Sequence, residues 1–283
     1  MSPVGSPGIR LLSIVVTISV NKQNTVILQN RRVLDMNSIQ QDLAIFNRFK
    51  FERKPVGVKF LSSKPGGIKK LDKVLDFCEM LVEAQNGSTF YAAQESFTCQ
   101  IGPLILGMVD SDQIFETGRV GPKLEIFKDA RANRGVYQVV PRLVRGTVKY
   151  VVFSPLHKLS FEPDVLIITA NLSQIEILLR AMSYSTGKMW SSKGTVVMGC
   201  AWLYIYPYLS GELNLTLPSF GMKARYLFPE DLLAVSIPWD LVTGLIKDLQ
   251  DMNWVPHSYT IGREGHKKKV KEIVDALRQE TAI

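Results

Sequence analysis

Cys78, Cys99 and Cys200 are the only cysteines in this 283-residue chain, and they are its best candidates for chemistry. Thiolates are soft, charged donors that hold zinc and iron–sulfur clusters. Two lie in "DFCEMLVEAQNGSTFYAAQESFTCQIG" (76–102) and the third in "MGCAWLYIY" (198–206). None shows the paired Cys-x-x-Cys spacing that marks such a site unaided. Three ligands would have to converge from separate elements, leaving a fourth position to water, substrate or another side chain, as in an open, reactive centre. Two other readings stand beside this one. Cysteine is a small residue that is often buried as packing, and both Cys78 and Cys99 fall on apolar faces. Thiol redox chemistry would need a cation or a helix N-terminus beside the sulfur, and none is evident locally.

A second constellation is "LPSFGMKAR" (217–225), with Gly221, Lys223 and Arg225. A glycine turn beside a guanidinium holds a small anion through backbone N–H groups and a bidentate charge contact. The competing reading is a turn with solvent-facing cations. Glu95, with Asn86 and Gln94 near Cys99, is a general base only if it is buried. His157, His257 and His266 form no metal-binding pair. No nucleophile elbow, dinucleotide fingerprint or Walker loop is present. The aromatic run "WLYIYPY" (202–208) reads as core before it reads as a ligand pocket.

The elements that must position these residues follow from periodicity. A helix is expected over 37–47, with Ile39, Leu43 and Phe46 on one side, then a strand over 56–61, ended by "KPGG". Ile68, Leu71, Val74, Leu75, Cys78, Leu81 and Val82 recur at helical spacing, and Gly87 stops that helix. "SFTCQIG" alternates and reads as a strand carrying Cys99. Residues 110–135 read as surface loop or short helix. Strands are expected over 146–154, 163–170, 195–206 and 231–238. A helix opening at Ser173 with Glu176 in capping-box spacing runs to Gly187. Another helix begins at Pro238, and a last amphipathic one carries Val270, Ile273, Val274 and Leu277. An internal echo sets Ala84 against Ala181 and Cys99 against Cys200. It implies two pseudo-repeated strand–helix–strand halves and facing strands that let these two cysteines meet. The expected fold is α+β, or α/β: a mixed sheet covered by helices, in one domain over 36–255, followed by a linker and C-terminal helix over 256–283.

"KPVGVKF" (54–60), "FCEMLVEAQNG" with "ESFTCQIG", "SPLHKLSFEPDVLIITANLSQIEILLRAMSYSTG" (154–187) and "GCAWLYIYPYLSGELNLTLPSFGMKAR" (199–225) together resemble the uncharacterised archaeal and bacterial ArCR family. The resemblance covers about residues 40–255. It implies a family without an assigned activity. His157 stands where an acidic residue is expected, and "TLPSFG" lacks a further small or thiol residue that would offer a fourth cysteine ligand.

Composition narrows the partners. The formal charge is +8, but residues 36–262 hold 24 basic against 21 acidic residues. Nucleic acid binding needs a clustered basic stripe, and the body offers only Lys123, Lys128, Arg131 and Arg134, so nucleic acid is not expected as a partner. The apolar run in "IRLLSIVVTISVNKQ" spans about ten residues, too few to cross a bilayer, and no convincing cleavage site follows it. Residues 1–35 read as peripheral or as an extension preceding a natural start at Met36. Three cysteines make no disulfide framework, which fits a reducing cytoplasm. The expected function is a cytoplasmic protein binding a metal centre (zinc or an iron–sulfur cluster) or a small cofactor at Cys78, Cys99 and Cys200, with Gly221, Lys223 and Arg225 as ligand-binding residues. The alternative is an interaction or small-anion-binding module with core cysteines. A small ligand, a protein partner and a homo-oligomer are all compatible with the sequence.

Overall fold

Six strands form one sheet: β1 (Val56–Leu61), β2 (Phe90–Ala93), β3 (Tyr150–Pro155), β4 (Val165–Ala170), β5 (Asn214–Thr216) and β6 (Leu233–Pro238), in the order β2–β3–β1–β4–β6–β5. The computed structural model describes residues 41–280. The expectations for residues 1–35, and for Ile39 in the first helix, lie outside them. The architecture is α+β. Every strand pairing is antiparallel, where a mixed sheet was expected. The reason lies in the third strand of each half. β1 and β2 do run parallel, as do β4 and β5, but β3 enters between the first pair and β6 between the second. The order is therefore symmetric about the central β1–β4 pair.

Alternation along the strands divides the core in two. Val56, Val58, Phe60, Phe90, Val151, Phe153, Val165 and Ile167 face one layer, which is covered by helix Phe77–Gln85, helix Ile101–Ile105 and the turn Ala201–Ile205. Leu166, Ile168, Ala170, Val235 and Ile237 face the other, covered by helices Leu172–Tyr184 and Trp239–Asp251 and by the short 3-10 helix Ala44–Phe49. β4 is buried at all six positions, as its continuous apolar run demands. Helix Gly262–Glu280 buries none of its residues, and Val270, Ile273, Val274 and Leu277 are exposed. No helix among the described residues is long and apolar enough to cross a membrane.

Three expected elements differ. Ile68 to Leu75 is not helical. Lys70 and Leu75 bridge to Tyr91 and Phe97, and Leu71 N–H bonds the Tyr91 carbonyl at 2.8 Å, so this stretch runs beside β2 and the helix begins only at Phe77. "SFTCQIG" is no strand: it passes from a 3-10 turn through bends into helix Ile101–Ile105. "TVVMGCAWLYIY" is no strand either. Residues 201–205 form a π-helical turn leading into helix Tyr206–Ser210. The run around Cys200 is buried throughout and carries no period. Val74, by contrast, is exposed and Phe97, Cys99 and Ile101 are only half-buried, so the helical and alternating patterns in the other two stretches did not mark buried faces. The helix after β4 opens at Asn171 with Gln174 as its capping partner, two residues before the expected pair.

Just before β4 begins, Asp164 extends its ladder. Its Oδ2 accepts Phe60 N–H at 2.7 Å, its N–H bonds the Val58 carbonyl at 2.7 Å, and its carbonyl accepts Trp239 N–H at 3.0 Å. Asp164→Ala leaves the buried Phe60 amide without its acceptor. We expect it to cost about 1–3 kcal/mol in a urea denaturation experiment, with the folded-state spectrum retained. A loss below about 0.5 kcal/mol would show that the ladder does not need it.

Candidate functional site

Asp76 begins the site. It precedes helix Phe77–Gln85 as its N-cap, and Glu79 Oε2 accepts the Asp76 N–H at 2.7 Å in the capping-box manner. This places Cys78 in the first helical turn. Cys99 reaches the same turn from the loop after β2. Its Sγ accepts Phe77 N–H at 3.4 Å and also receives the Gly102 N–H. Gly102 cannot be larger, because a Cβ there would come within 2.9 Å of both Phe77 and Phe97. Cys200 arrives from the other half, immediately before the turn Ala201–Ile205. Its neighbour Gly199 fits under Ser219, whose Oγ would lie 2.7 Å from an added Cβ.

All three cysteines line one cleft of about 550 Å³, together with Asp76, Gly221 and Arg225. All three are free thiols. The thiols lie close enough that Cys78 and Cys99 each raise the pKa of Cys200. The fully buried Tyr204 ring packs 4.2 Å from Phe77, its hydroxyl 3.4 Å from the Phe77 carbonyl oxygen, and it senses the charge of all three sulfurs. Arg225 Nε stands 2.6 Å from Asp76 Oδ2, and Thr98 donates to Asp76 Oδ1 at 2.5 Å. Arg225 Nη1 donates to the Gly221 carbonyl at 2.8 Å. A Cβ at Gly221 would sit 2.8 Å from that same Nη1, a contact the flexible guanidinium end can move away from.

Burial sets the state of the thiols. It pushes Cys78 up to about 12, against a smaller downward pull from Arg225. Burial also raises Cys99, partly offset by the two backbone N–H groups at its sulfur. It raises Cys200 most completely. All three are protonated in the empty protein at neutral pH. Among the described residues no group of three or more His, Cys, Asp or Glu side chains forms a ready ligand set for a metal ion.

The sequence expectation thus brings Cys78, Cys99, Cys200, Gly221 and Arg225 to one place. It does not bring Lys223, which lines a neighbouring cleft beside Trp202 and Thr195. The glycine turn expected at 221 is a short helix, Phe220–Ala224, so an anion site built on that turn is not what Gly221 provides. Glu95 is exposed and held by Lys70 at 2.5 Å, which lowers its pKa and removes it as a buried base. Asp76, Thr98, Tyr204 and Ser219 went unread. Of these, Asp76 had a legible signal: Asp76 and Glu79 have capping-box spacing at the start of an apolar run.

A family profile described as uncharacterised ArCR matches residues 44–248. The chain belongs to that family, and the match takes in every residue of the cleft named above. No curated protein and no solved structure matches the chain.

The thiol shifts fix a pH dependence. Each folded-state thiol has a pKa above the ordinary 9.0, so protonated thiols contribute stability that is whole below about pH 9. That contribution falls as the pH climbs toward about 12, because the unfolded chain ionises first. The urea midpoint of the metal-free protein should decline from pH 9 to 11, and less steeply in Cys78→Ala. Equal slopes in the two proteins would remove Cys78 from this account.

Proposed function

We propose that this ArCR protein holds an iron–sulfur cluster on the thiolates of Cys78, Cys99 and Cys200, in a reducing cytoplasm. One observation carries the reading: the chain's three cysteines, from segments 21 and 101 residues apart, line a single cleft with open volume beside them. Zinc fits less well. A tetrahedral ion needs its thiolates about 2.3 Å from one point, and the side chains do not stand as such a set. A cluster spreads its ligands over several irons. When bound, such a group supplies electron transfer, or Lewis-acid chemistry at a metal with an unfilled position.

The chain's own residues suit that role. The first turn of helix Phe77–Gln85 and the start of the Ala201 turn direct N–H groups toward sulfur, which favours the charged form. Arg225 adds a fixed positive charge, and Asp76 keeps it in place. Tyr204, fully buried, remains a neutral phenol below the sulfurs. A second reading has its own support. Cys78 and Cys200 are buried in the first core layer and Cys99 packs half-buried against it, as packing cysteines do, and the cleft would then serve a small anion or a protein partner alone.

Purification without oxygen separates the two. The cluster reading expects near-stoichiometric iron and acid-labile sulfide with visible absorption, lost in Cys99→Ser and Cys200→Ser. Because binding must displace thiol protons, reconstitution should release protons and tighten from pH 6 to pH 8. A well-folded, colourless protein that takes up no iron on anaerobic reconstitution would sink the proposal in favour of packing.

A further inference from the structure

We infer that the same cleft binds a small monoanion with an apolar body, a carboxylic acid whose head group meets Arg225. This stands beside the cluster reading rather than on it, because Arg225 and the apolar wall are present whatever the thiols hold. The Asp76–Arg225 pair is lopsided. The Asp76 side chain is 10% exposed and the Arg225 side chain 41%, so the pair hides its negative member and shows its positive one. Asp76 is also the only carboxylate lining the cleft. The remaining polar groups there are neutral: Asn133, Tyr137, Gln100 and Ser219.

The rest of the lining is apolar, including Phe115, Leu124, Ile126, Met198 and Phe220. Small-molecule sites are of this kind, with apolar walls and a few polar groups that orient the ligand. Charge selects among ligands. A second negative charge would lie against the apolar wall uncompensated, which is costly. A neutral molecule would offer no charge to the exposed edge of the guanidinium, which Asp76 meets only through Nε. One acid group on an apolar body satisfies both constraints. Entry is physically plain. From 113 to 139 the only buried residue other than glycine is Asn133, so this outer wall is weakly anchored and can yield to a ligand.

Octanoate and octanamide are probes of equal shape that differ in charge. Calorimetric titration of the wild-type protein, with iron measured on the same sample, should show saturable octanoate binding at least about tenfold tighter than octanamide, the scale of one charge-assisted hydrogen bond. Arg225→Gln should bring octanoate to the octanamide level, Arg225→Lys should retain part of the preference, and Leu124→Trp should block both by filling the cleft from an exposed position. Equal binding of the two probes to wild type overturns the inference, as does no octanoate binding up to millimolar concentration. Since that comparison needs no variant, loss of Asp76's partner in Arg225→Gln does not blur it. Iron without octanoate binding fails this inference alone, and octanoate binding without iron fails the cluster alone.

Discussion

The carboxylate of Asp76 is the constraint on which the site depends. It stands at the N-cap of helix Phe77–Gln85, accepts Thr98 Oγ1 at 2.5 Å and holds Arg225 at 2.6 Å. Those contacts join three segments far apart in sequence. One carries Cys78, the second carries Cys99, and the third, through Ser219 against Gly199, sits beside Cys200. The carboxylate itself is nearly buried, and a buried charge is tolerated only when paired and hydrogen-bonded. Arg225 and Thr98 meet that need. Removing one of them would loosen the other contacts of the cleft as well as its own.

Two opposing effects decide what the sulfurs are. Burial holds them protonated, and the helix-end N–H groups and Arg225 pull the other way; burial wins at every sulfur. For Cys78 the rise from 9.0 to about 12 corresponds to about 4 kcal/mol of resistance to ionisation. Cys99 and Cys200 are raised in the same direction, so a group bound to all three sulfurs must offset their combined resistance to ionisation. A loosely held ion would not open this site. Only a tightly bound, multiply charged group could keep three thiolates here, and without one the cysteines behave as packing.

Much of the sheet was legible because strands buried on one or both faces print their period on the sequence. β1, β3, β4 and β6 all lie where Val56, Tyr150, Val165 and Leu233 begin apolar runs. The surroundings of Cys99 and Cys200 were not legible. The alternation around Cys99 belongs to a turn with Thr98 and Gln100 exposed. The apolar run 198–205 around Cys200 is buried throughout, so no period there separates helix from strand. Convergence was foreseen for a partly different reason. The echo paired Cys99 with Cys200 on facing strands, yet neither lies on a strand. Strand order instead makes Cys78 and Cys200 counterparts, each opening a helix between the first and second strands of its half. Arg225 was recognised as a cation near a glycine, but its real partner, Asp76, is 149 residues away in sequence, a distance no local pattern spans.

That correspondence explains why a cleft forms at all. Each half places a helical segment before its outermost strand, Phe77–Gln85 before β2 and residues 201–210 before β5, and both pack on the same face of the sheet, opposite helix Leu172–Tyr184. They meet over β3, where the Phe77 and Tyr204 rings lie 4.2 Å apart at a 31° tilt and both set their edges against Phe153. These large side chains fill the floor. Beside them the cleft is lined by small residues, Cys78, Cys99, Gly199, Cys200 and Ser219, together with the larger Met198, Phe220 and Met222, and by the thinly anchored wall of 113–139. A floor packed with aromatic rings under small, polarisable side chains gives an open volume with a fixed floor and a yielding outer wall. Filling that volume with larger apolar residues would improve burial by ordinary packing rules. The gap, more than any one thiol, is what makes this place the candidate site.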